Sequence, residues 1–200
     1  DYEKYGYNGE LKTLLTSGEG FFSIGTTSNN NIDSNSFAGI FDGNYNIINN
    51  LYINQSTVKN EEMRLGLFGN NNGVIKNLGI TNVNISLIII DKTIDVGGIA
   101  AKNYNSIINC YCTGDINAFA KDSVTGLIRI GGISSGSEGI VESCYHKGKI
   151  YMEGDANVSI TIGGITSVTY NTTEKCYSDG KIEKKKKNND NLQIGGISGV

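Results

Sequence analysis

The sequence predicts an all-β fold, a right-handed parallel β-helix (a solenoid) of about five coils with about 32 residues each. The first observation behind this prediction is a repeat. Four copies of a Gly-Gly-Ile element begin at Gly97, Gly131, Gly163 and Gly195, at intervals of 34, 32 and 32 residues. A fixed period of this length indicates one supersecondary unit stacked on itself, because a single unit cannot bury its own apolar face.

The second observation is the pattern inside each unit. Apolar residues at Ile150 and Met152, and again at Val158, Ile160 and Ile162, are spaced by two, as in half-buried strands. We interpret each unit as three strands: one with Gly-Gly-Ile, one through a Cys-Tyr pair, and one after a Gly-x-Ile element. A β-propeller is the alternative fold, but its blades need four strands and about 40 residues or more.

The chain divides into two predicted segments. Residues 1–36 are expected to form an N-terminal cap segment, in which a short helix begins after Asn8 and ends at Gly18. Residues 37–200 are expected to form the β-helix repeats. Val200 follows directly on a fresh Gly-Gly-Ile element, so the repeats are expected to continue beyond it. Open strand edges at that end predict end-to-end self-association.

The cysteines are predicted to be free thiols in the core. Cys110, Cys144 and Cys176 occupy equivalent positions, and the preceding repeat has Leu78 there. Strands about 4.8 Å apart lie within reach of a disulfide, but in-register parallel strands orient their Cβ atoms poorly for one. A disulfide clip that involves Cys112 is the alternative. A zinc site is disfavoured because the ligands lack paired short spacing, and neither a metal nor a cofactor is predicted.

The spacing Gly-Gly-Ile … Asn-Cys-Tyr-x-x-Gly-x-Ile, preceded by Phe41-Asp42-Gly43-Asn44, resembles the GLUG-motif repeats of bacterial surface proteins. The resemblance covers about residues 20–200. It implies a large secreted or wall-attached protein at an extracellular or cell-surface location. Such proteins include adhesin-like chains and immunoglobulin A-cleaving metallopeptidases, where the repeats are non-catalytic. The chain departs from the pattern by lacking Pro and by placing Ser143 and Lys175 at the motif Asn.

No residue is predicted to be catalytic. Glu142 and Glu174 are expected to stack about 5 Å apart, which is the spacing of the acid pair in retaining glycosidases. The same column continues with Ile108 and Lys76, however, and no further acid converges on it. Solvated strand faces commonly carry Glu, so we expect no enzyme activity from this pair.

Two further positions receive a structural interpretation. His146 is the only histidine, and its counterparts Cys112 and Ser178 indicate a tolerant, structural or exposed position. The zinc-peptidase signature H-E-x-x-H is absent, so any peptidase centre of a parent chain would lie elsewhere. The segment Asp42-Gly43-Asn44 is interpreted as a left-handed turn, because the alternating acids of a calcium loop are missing.

Two surface features are candidate binding sites. The first is a row of outward-pointing aromatic rings, which either stabilise the sheet or contact sugar rings: Tyr111, Tyr145 and Tyr177. The second is a basic run, interpreted as a solvated loop tip or as a contact for an acidic polymer: Lys184, Lys185, Lys186 and Lys187. That run belongs to a series of loops of unequal length, which are expected to emerge on one edge of the stack.

The net charge of −3 gives no general attraction to nucleic acid, and the apolar run at residues 85–90 is too short to span a bilayer. We therefore expect a non-catalytic structural or adhesive module of a bacterial cell-surface or secreted protein. The expected partner is a host or cell-surface glycan or protein, without nucleic-acid binding or membrane insertion. The alternative is an accessory substrate-binding region of a secreted hydrolase, a peptidase or polysaccharide-active enzyme, whose catalytic domain lies elsewhere.

Overall fold

The computed structural model of the chain describes residues 18, 20–25, 35–56, 62–90, 93–121, 124–154, 158–185 and 191–199. These residues form a parallel β-solenoid, and the predicted β-helix is confirmed. The helix predicted after Asn8 lies outside the described residues. Within the described part of the chain, no helix has the length and apolar character needed to cross a membrane.

The described strands form four complete coils, with an incomplete coil on each side. The first incomplete coil has the strands Ile40–Asp42, Ile47–Asn49 and Tyr52–Ser56. Coil 1 has Met63–Leu65, Phe68–Asn71, Val74–Lys76 and Gly79–Ile89. Coil 2 has Ile94–Gly97, Ala100–Asn103, Ser106–Ile108 and Tyr111–Ala120. Coil 3 has Ile128–Gly131, Ser134–Ser137, Ile140–Glu142, Tyr145–Lys147 and Lys149–Gly154. Coil 4 has Ile160–Gly163, Thr166–Thr169, Thr173–Glu174, Tyr177–Ser178 and Lys181–Lys185, and Leu192–Gly195 follows it.

Each coil crosses four parallel sheets, one more than the three strands predicted. In coil 2, the four strands in chain order belong to sheets 1, 2, 3 and 4. The Gly-Gly-Ile element is a bend between sheets 1 and 2 rather than part of one strand, and Asn109-Cys110 is the bend between sheets 3 and 4. The bend between sheets 1 and 2 requires glycine at position 98. A Cβ atom on Gly98 would come closer than 3.0 Å to the Cys112 Sγ and to the Gly132 carbonyl oxygen.

The core consists of apolar columns that run from coil to coil. Ile85, Ile116 and Ile150 pair in register in sheet 4, and all three are fully buried. At the N-terminal end, the ring of Phe68 packs against Phe37 at 4.9 Å between centroids. Burial of one such side chain contributes about 1.5–3 kcal/mol, so the columns supply the main stabilisation of the stack.

A ladder of buried amides lines the bend between sheets 2 and 3. Asn71 Nδ2 donates to Asn103 Oδ1 at 2.8 Å, and Asn103 Nδ2 donates to Ser137 Oγ at 3.0 Å. Asn71 Nδ2 also donates to the Ser106 carbonyl oxygen, and Asn103 Nδ2 to that of Ile140. The ladder therefore satisfies backbone groups that the bend removes from strand pairing.

The bend between sheets 3 and 4 explains the motif asparagine. Asn77, Asn109, Ser143 and Lys175 have φ angles of 52°, 52°, 54° and 52°, all in the left-handed region that Asn tolerates best among side-chain-bearing residues. Asn109 Nδ2 also donates to Asn77 Oδ1 at 2.9 Å. This exposed ladder ends where Ser143 replaces Asn.

Ser143→Asn should therefore stabilise the protein. The change relieves left-handed strain and lets a new amide donate to Asn109, for a gain of about 1 kcal/mol in the free energy of unfolding. Urea denaturation measures this gain. Ser143→Ala is the matched control and should give no stabilisation, because alanine tolerates positive φ poorly. An Asn variant no more stable than the wild type would contradict the strain argument.

Candidate functional site

The predicted tyrosine row is present. Tyr111, Tyr145 and Tyr177 pair in register along sheet 4. Their ring centroids lie 4.9 Å and 5.1 Å apart with interplanar angles of 3° and 12°. Because the rings stack on one another, the inner ring faces are covered and mainly ring edges reach solvent. Tyr111 and Tyr145 are half-buried, whereas Tyr177 is 56% exposed.

The inner part of the tyrosine row supports the sheet. A Cβ atom on Gly79 would come closer than 3.0 Å to the ring of Tyr111, so this ring lies directly over the Gly79 backbone. Burial between neighbours also raises the pKa of the Tyr145 hydroxyl, with a smaller contribution from the two adjacent tyrosines. Tyr177, the most exposed tyrosine of the row, is therefore its candidate for ligand contact.

The basic run is not simply a loop tip. Lys184 and Lys185 belong to the strand Lys181–Lys185, which pairs with Lys149–Gly154 of the preceding coil. Lys184 Nζ donates to the Gly154 carbonyl oxygen at 3.2 Å, and Lys185 Nζ lies 3.3 Å from Glu153 Oε1. The loop-tip interpretation is therefore wrong for these two residues, since strand pairing extends through them. Lys186 and Lys187 lie outside the described residues.

The loops of unequal length emerge on one edge, as predicted. In each coil they connect the end of sheet 4 to the start of sheet 1, and they follow Ile89, Ala120, Gly154 and Lys185. Their central residues lie outside the described ranges. The bases of these loops are therefore aligned beside sheet 1.

The thiol column is also confirmed, with one difference. Cys110 and Cys144 are buried, whereas Cys176 is half-buried near the exposed end. Cys110 Sγ lies 3.2 Å from the Ile108 carbonyl oxygen. Cys112 is a free, buried thiol and not part of a disulfide clip, and burial raises its pKa to about 12.

His146 is a structural residue of the core, one of the two alternatives that the sequence left open. Its side chain is 1% exposed and lies over Gly132, where a Cβ atom would come closer than 3.0 Å to the imidazole ring. Burial lowers the pKa of His146 to about 4, against smaller opposing effects of Gly114 and Asp115. A side chain at this position fits only because a glycine lies opposite it.

The two stacked acids lie beside a lysine. Glu142 and Glu174 pair in register, as predicted. Lys175 Nζ lies 2.6 Å from Glu142 Oε1 and 3.6 Å from Glu174 Oε1. These contacts raise the pKa of Lys175, with the Glu142 hydrogen bond as the largest cause. The positive charge of Lys175 therefore offsets the negative charge that the two neighbouring carboxylates concentrate.

The turn predicted at Asp42-Gly43-Asn44 is confirmed. Asn44 and Tyr45 have φ angles of 46° and 62°, and the Asn44 backbone N–H donates to Asp42 Oδ1 at 2.9 Å. This bond lowers the pKa of Asp42. Among the described residues, no three His, Cys, Asp or Glu side chains are grouped so that they could hold a metal ion.

The structure contains a charged cluster that the sequence pattern did not single out, formed by Arg64, Asp95, Lys102 and Arg129. Arg129 forms a two-point contact with Asp95, with Nε 2.7 Å from Oδ1 and Nη2 donating to Oδ2 at 2.9 Å. Lys102 Nζ lies 3.7 Å from the same Oδ1. Arg64 Nη1 donates to Asn70 Oδ1 at 2.9 Å. Both arginines of the chain are therefore in one cluster.

The bend between sheets 1 and 2 creates this cluster. Arg64, Asp95 and Arg129 are register neighbours on sheet 1, whereas Lys102 belongs to sheet 2. Asp95 Oδ1 accepts a hydrogen bond from Ser135 Oγ of sheet 2 at 2.8 Å. The outer surfaces of sheets 1 and 2 therefore form a concave bend. Charged side chains that a flat sheet would point to solvent meet across it. The sequence did contain a signal for this cluster. The charge of the second residue alternates between positive and negative in three successive four-residue elements, MRLG, IDVG and IRIG.

Comparisons with known proteins give one distant likeness. No family model matches the chain, so the similarity to GLUG-motif repeats remains a resemblance in sequence pattern. No curated protein matches either. A crystal structure described as a "putative immunoglobulin A1 protease" from Bacteroides ovatus superposes with a TM-score of 0.42 and 16% identity, over 92% of this chain and 74% of that one. A superposition this loose adds nothing to the fold described above and says nothing about activity.

Proposed function

We propose that this chain is a non-catalytic structural and adhesive module, a rigid repeat segment of a bacterial cell-surface or secreted protein. The observation that carries the proposal is the unbroken register of the stack. In sheet 1, strands from Met63–Leu65 to Leu192–Gly195 pair side by side in parallel, and each complete coil repeats this in all four sheets. Such pairing resists bending and suits a spacer or a display platform.

The candidate chemical groups support a role without catalysis. The acid pair Glu142 and Glu174 shares Lys175, which holds both carboxylates in ion pairs. The only histidine is enclosed in the core, so it cannot reach a substrate. General acid-base catalysis needs a group within hydrogen-bond reach of a bound substrate. The histidine cannot reach one, and both carboxylates are engaged by Lys175.

Adhesion is assigned to the variable edge and to the exposed end of the tyrosine row. The stacked coils are uniform because pairing constrains them, whereas the loops beside sheet 1 differ in length and charge. Tyr177 is the most exposed tyrosine of the row, at 56%, whereas Tyr111 and Tyr145 are half-buried. The proposed partner is a host or cell-surface glycan or protein.

A glycan array, with product analysis of each bound glycan, tests this proposal. Wild-type protein should bind and should release no cleaved product. Tyr177→Ala should weaken binding several-fold, since stacking of a sugar ring on one aromatic face contributes about 1 kcal/mol or more. The matched control is Tyr170→Ala, because Tyr170 is 71% exposed but lies outside the row. Cleavage of a bound glycan would contradict the non-catalytic proposal, and equal binding by all three proteins would exclude Tyr177.

The basic run gives a separate prediction for the same edge. Replacing Lys185, Lys186 and Lys187 by Ser should leave the thermal midpoint nearly unchanged, because exposed ion pairs contribute about 0–1 kcal/mol. The change should weaken attachment to an acidic glycan at low salt, and the difference from wild type should shrink as salt rises. Attachment that is the same for both proteins at every salt concentration would remove the run from the binding edge.

A further inference from the structure

The charged cluster carries more positive than negative charge in a place with little solvent. Arg64, Lys102 and Arg129 face one buried carboxylate, Asp95, whose side chain is 2% exposed. The three cationic side chains are only 12%, 10% and 19% exposed. Glu62 lies 3.6 Å from Arg64 but is 47% exposed, so solvent screens it. Glu138, which also acts on Lys102, is exposed as well, so among the described residues two positive charges remain without a buried counter-charge.

Several hydrogen-bond donors of the cluster also lack acceptors. Lys102 Nζ lies 3.7 Å from Asp95 Oδ1, which is beyond hydrogen-bond range. Asn70 Nδ2 and Arg64 Nε are buried without a partner. Asn70 is fully buried and is the register neighbour of Lys102 in sheet 2. Unpaired donors around excess positive charge are an arrangement that an anion completes.

An aromatic residue lies beside the cluster. Tyr104 is half-buried, which raises the pKa of its hydroxyl group, and smaller effects come from Arg64, Glu138, Asp95 and Arg129. An aromatic face next to a cationic recess matches an acidic sugar, because the ring can contact the sugar while the cations hold its carboxylate or sulfate. A nucleic acid fits less well, because the chain has a net charge of −3 and this recess offers only three cations.

We propose that the charged cluster binds the anionic group, carboxylate or sulfate, of an acidic saccharide that lies along the bend between sheets 1 and 2. This inference rests on the proposed adhesive function and assigns it a ligand class and a recess. Lys102 and Arg64 contact the anionic group, and Arg129 and Asp95 hold the recess in shape through their two-point contact. Desolvation by burial lowers the pKa of Lys102, and the charge of a bound anion offsets this effect.

Isothermal titration calorimetry with three probes tests the proposal: a galacturonate trimer, a sulfated disaccharide and sodium sulfate. One of the two saccharides should bind, and which one identifies the anionic group. Lys102→Met should weaken that binding at least about tenfold, since a hydrogen bond to a charged group contributes about 1.5–3 kcal/mol. The matched control is Lys147→Met, which removes one charge from an exposed ion pair with Asp179 and should bind like the wild type.

A second variant protects the test against misfolding. Asp95→Asn removes the buried negative charge of the cluster but keeps the side-chain shape and one oxygen that can accept from Arg129, so it should strengthen binding. Opposite effects of Lys102→Met and Asp95→Asn cannot both arise from damage to the fold. Thermal melting should show all variants folded.

The inference is overturned if Lys102→Met binds like the wild type, or if sodium sulfate binds as well as either saccharide. If the wild type binds only neutral glycans on the array, the inference fails and the adhesive proposal stands; if it binds no glycan or cell surface, both fail.

Discussion

Gly132→Ala should destabilise the solenoid by about 3 kcal/mol or more, because overpacking a closed site has costs of this size. A Cβ atom there would come closer than 3.0 Å to the Gly164 carbonyl oxygen and to the His146 ring. The backbone of the next coil cannot retreat, since Gly164 N–H donates to the Gly195 carbonyl oxygen at 3.1 Å. Urea denaturation followed by circular dichroism measures the loss.

The chain contains a matched control for this substitution. Gly196 is the second glycine of the last Gly-Gly-Ile element in the sequence, and among the described residues no atom lies within 4 Å of the place where its Cβ would be. Gly196→Ala should therefore change the free energy of unfolding by no more than about 0.5 kcal/mol. An equal loss in both variants would show that glycine backbone conformation, and not crowding between coils, limits the bend.

Acidification from pH 7.5 to pH 4 should remove about 3 kcal/mol of stability through His146 alone. Burial lowers its pKa to about 4 in the folded protein, below the ordinary histidine value of 6.5. The unfolded chain therefore binds a proton as pH falls below 6.5, while the folded protein resists protonation until about pH 4. The contribution is complete above pH 6.5, decreases between 6.5 and 4, and is lost below 4. Urea midpoints measured across this range give the profile.

His146→Cys isolates this effect, because cysteine occupies the equivalent position at Cys112 and stays neutral at these pH values. The variant should lose less stability between pH 6.5 and 4 than the wild type. Acidic groups such as Glu183, whose pKa falls to about 2 through its hydrogen bonds with Lys149 and Lys181, titrate in both proteins and cancel in the difference. Parallel profiles would show that His146 gains a proton without loss of its packing.

The repeat period predicted the stack, the thiol column and the tyrosine row, because positions one period apart become register neighbours. It failed at the bends. Gly98 was assigned to a strand, and the structure shows that it turns the chain between two sheets. Alternation of apolar residues says which side chains face the core, but it does not say whether an outer surface is convex or concave.

The charged cluster and the enclosed histidine show most clearly what periodicity along the sequence cannot predict. Asp95 and Arg129 alternate with core residues, so a flat sheet would expose them to solvent. They are shielded because the glycine bend brings sheet 2 across them. His146 is buried for a related reason, since Gly132 in the facing bend leaves room for its ring. Both outcomes depend on contacts between separate sheets, which periodicity along one strand cannot report.

Because equal coils pair side by side, the number of coils sets the length of the molecule. Each coil presents the same parallel edge to the coil before it and to the coil after it, and adjacent strands are separated by about 4.8 Å. Duplication of one repeat in the gene would lengthen the rod by that step and leave every neighbouring contact unchanged. The 34-residue interval from Gly97 to Gly131 keeps the same strand pairing as the 32-residue interval that follows. Extra residues therefore enlarge a loop and do not alter the step, so reach and surface can evolve independently.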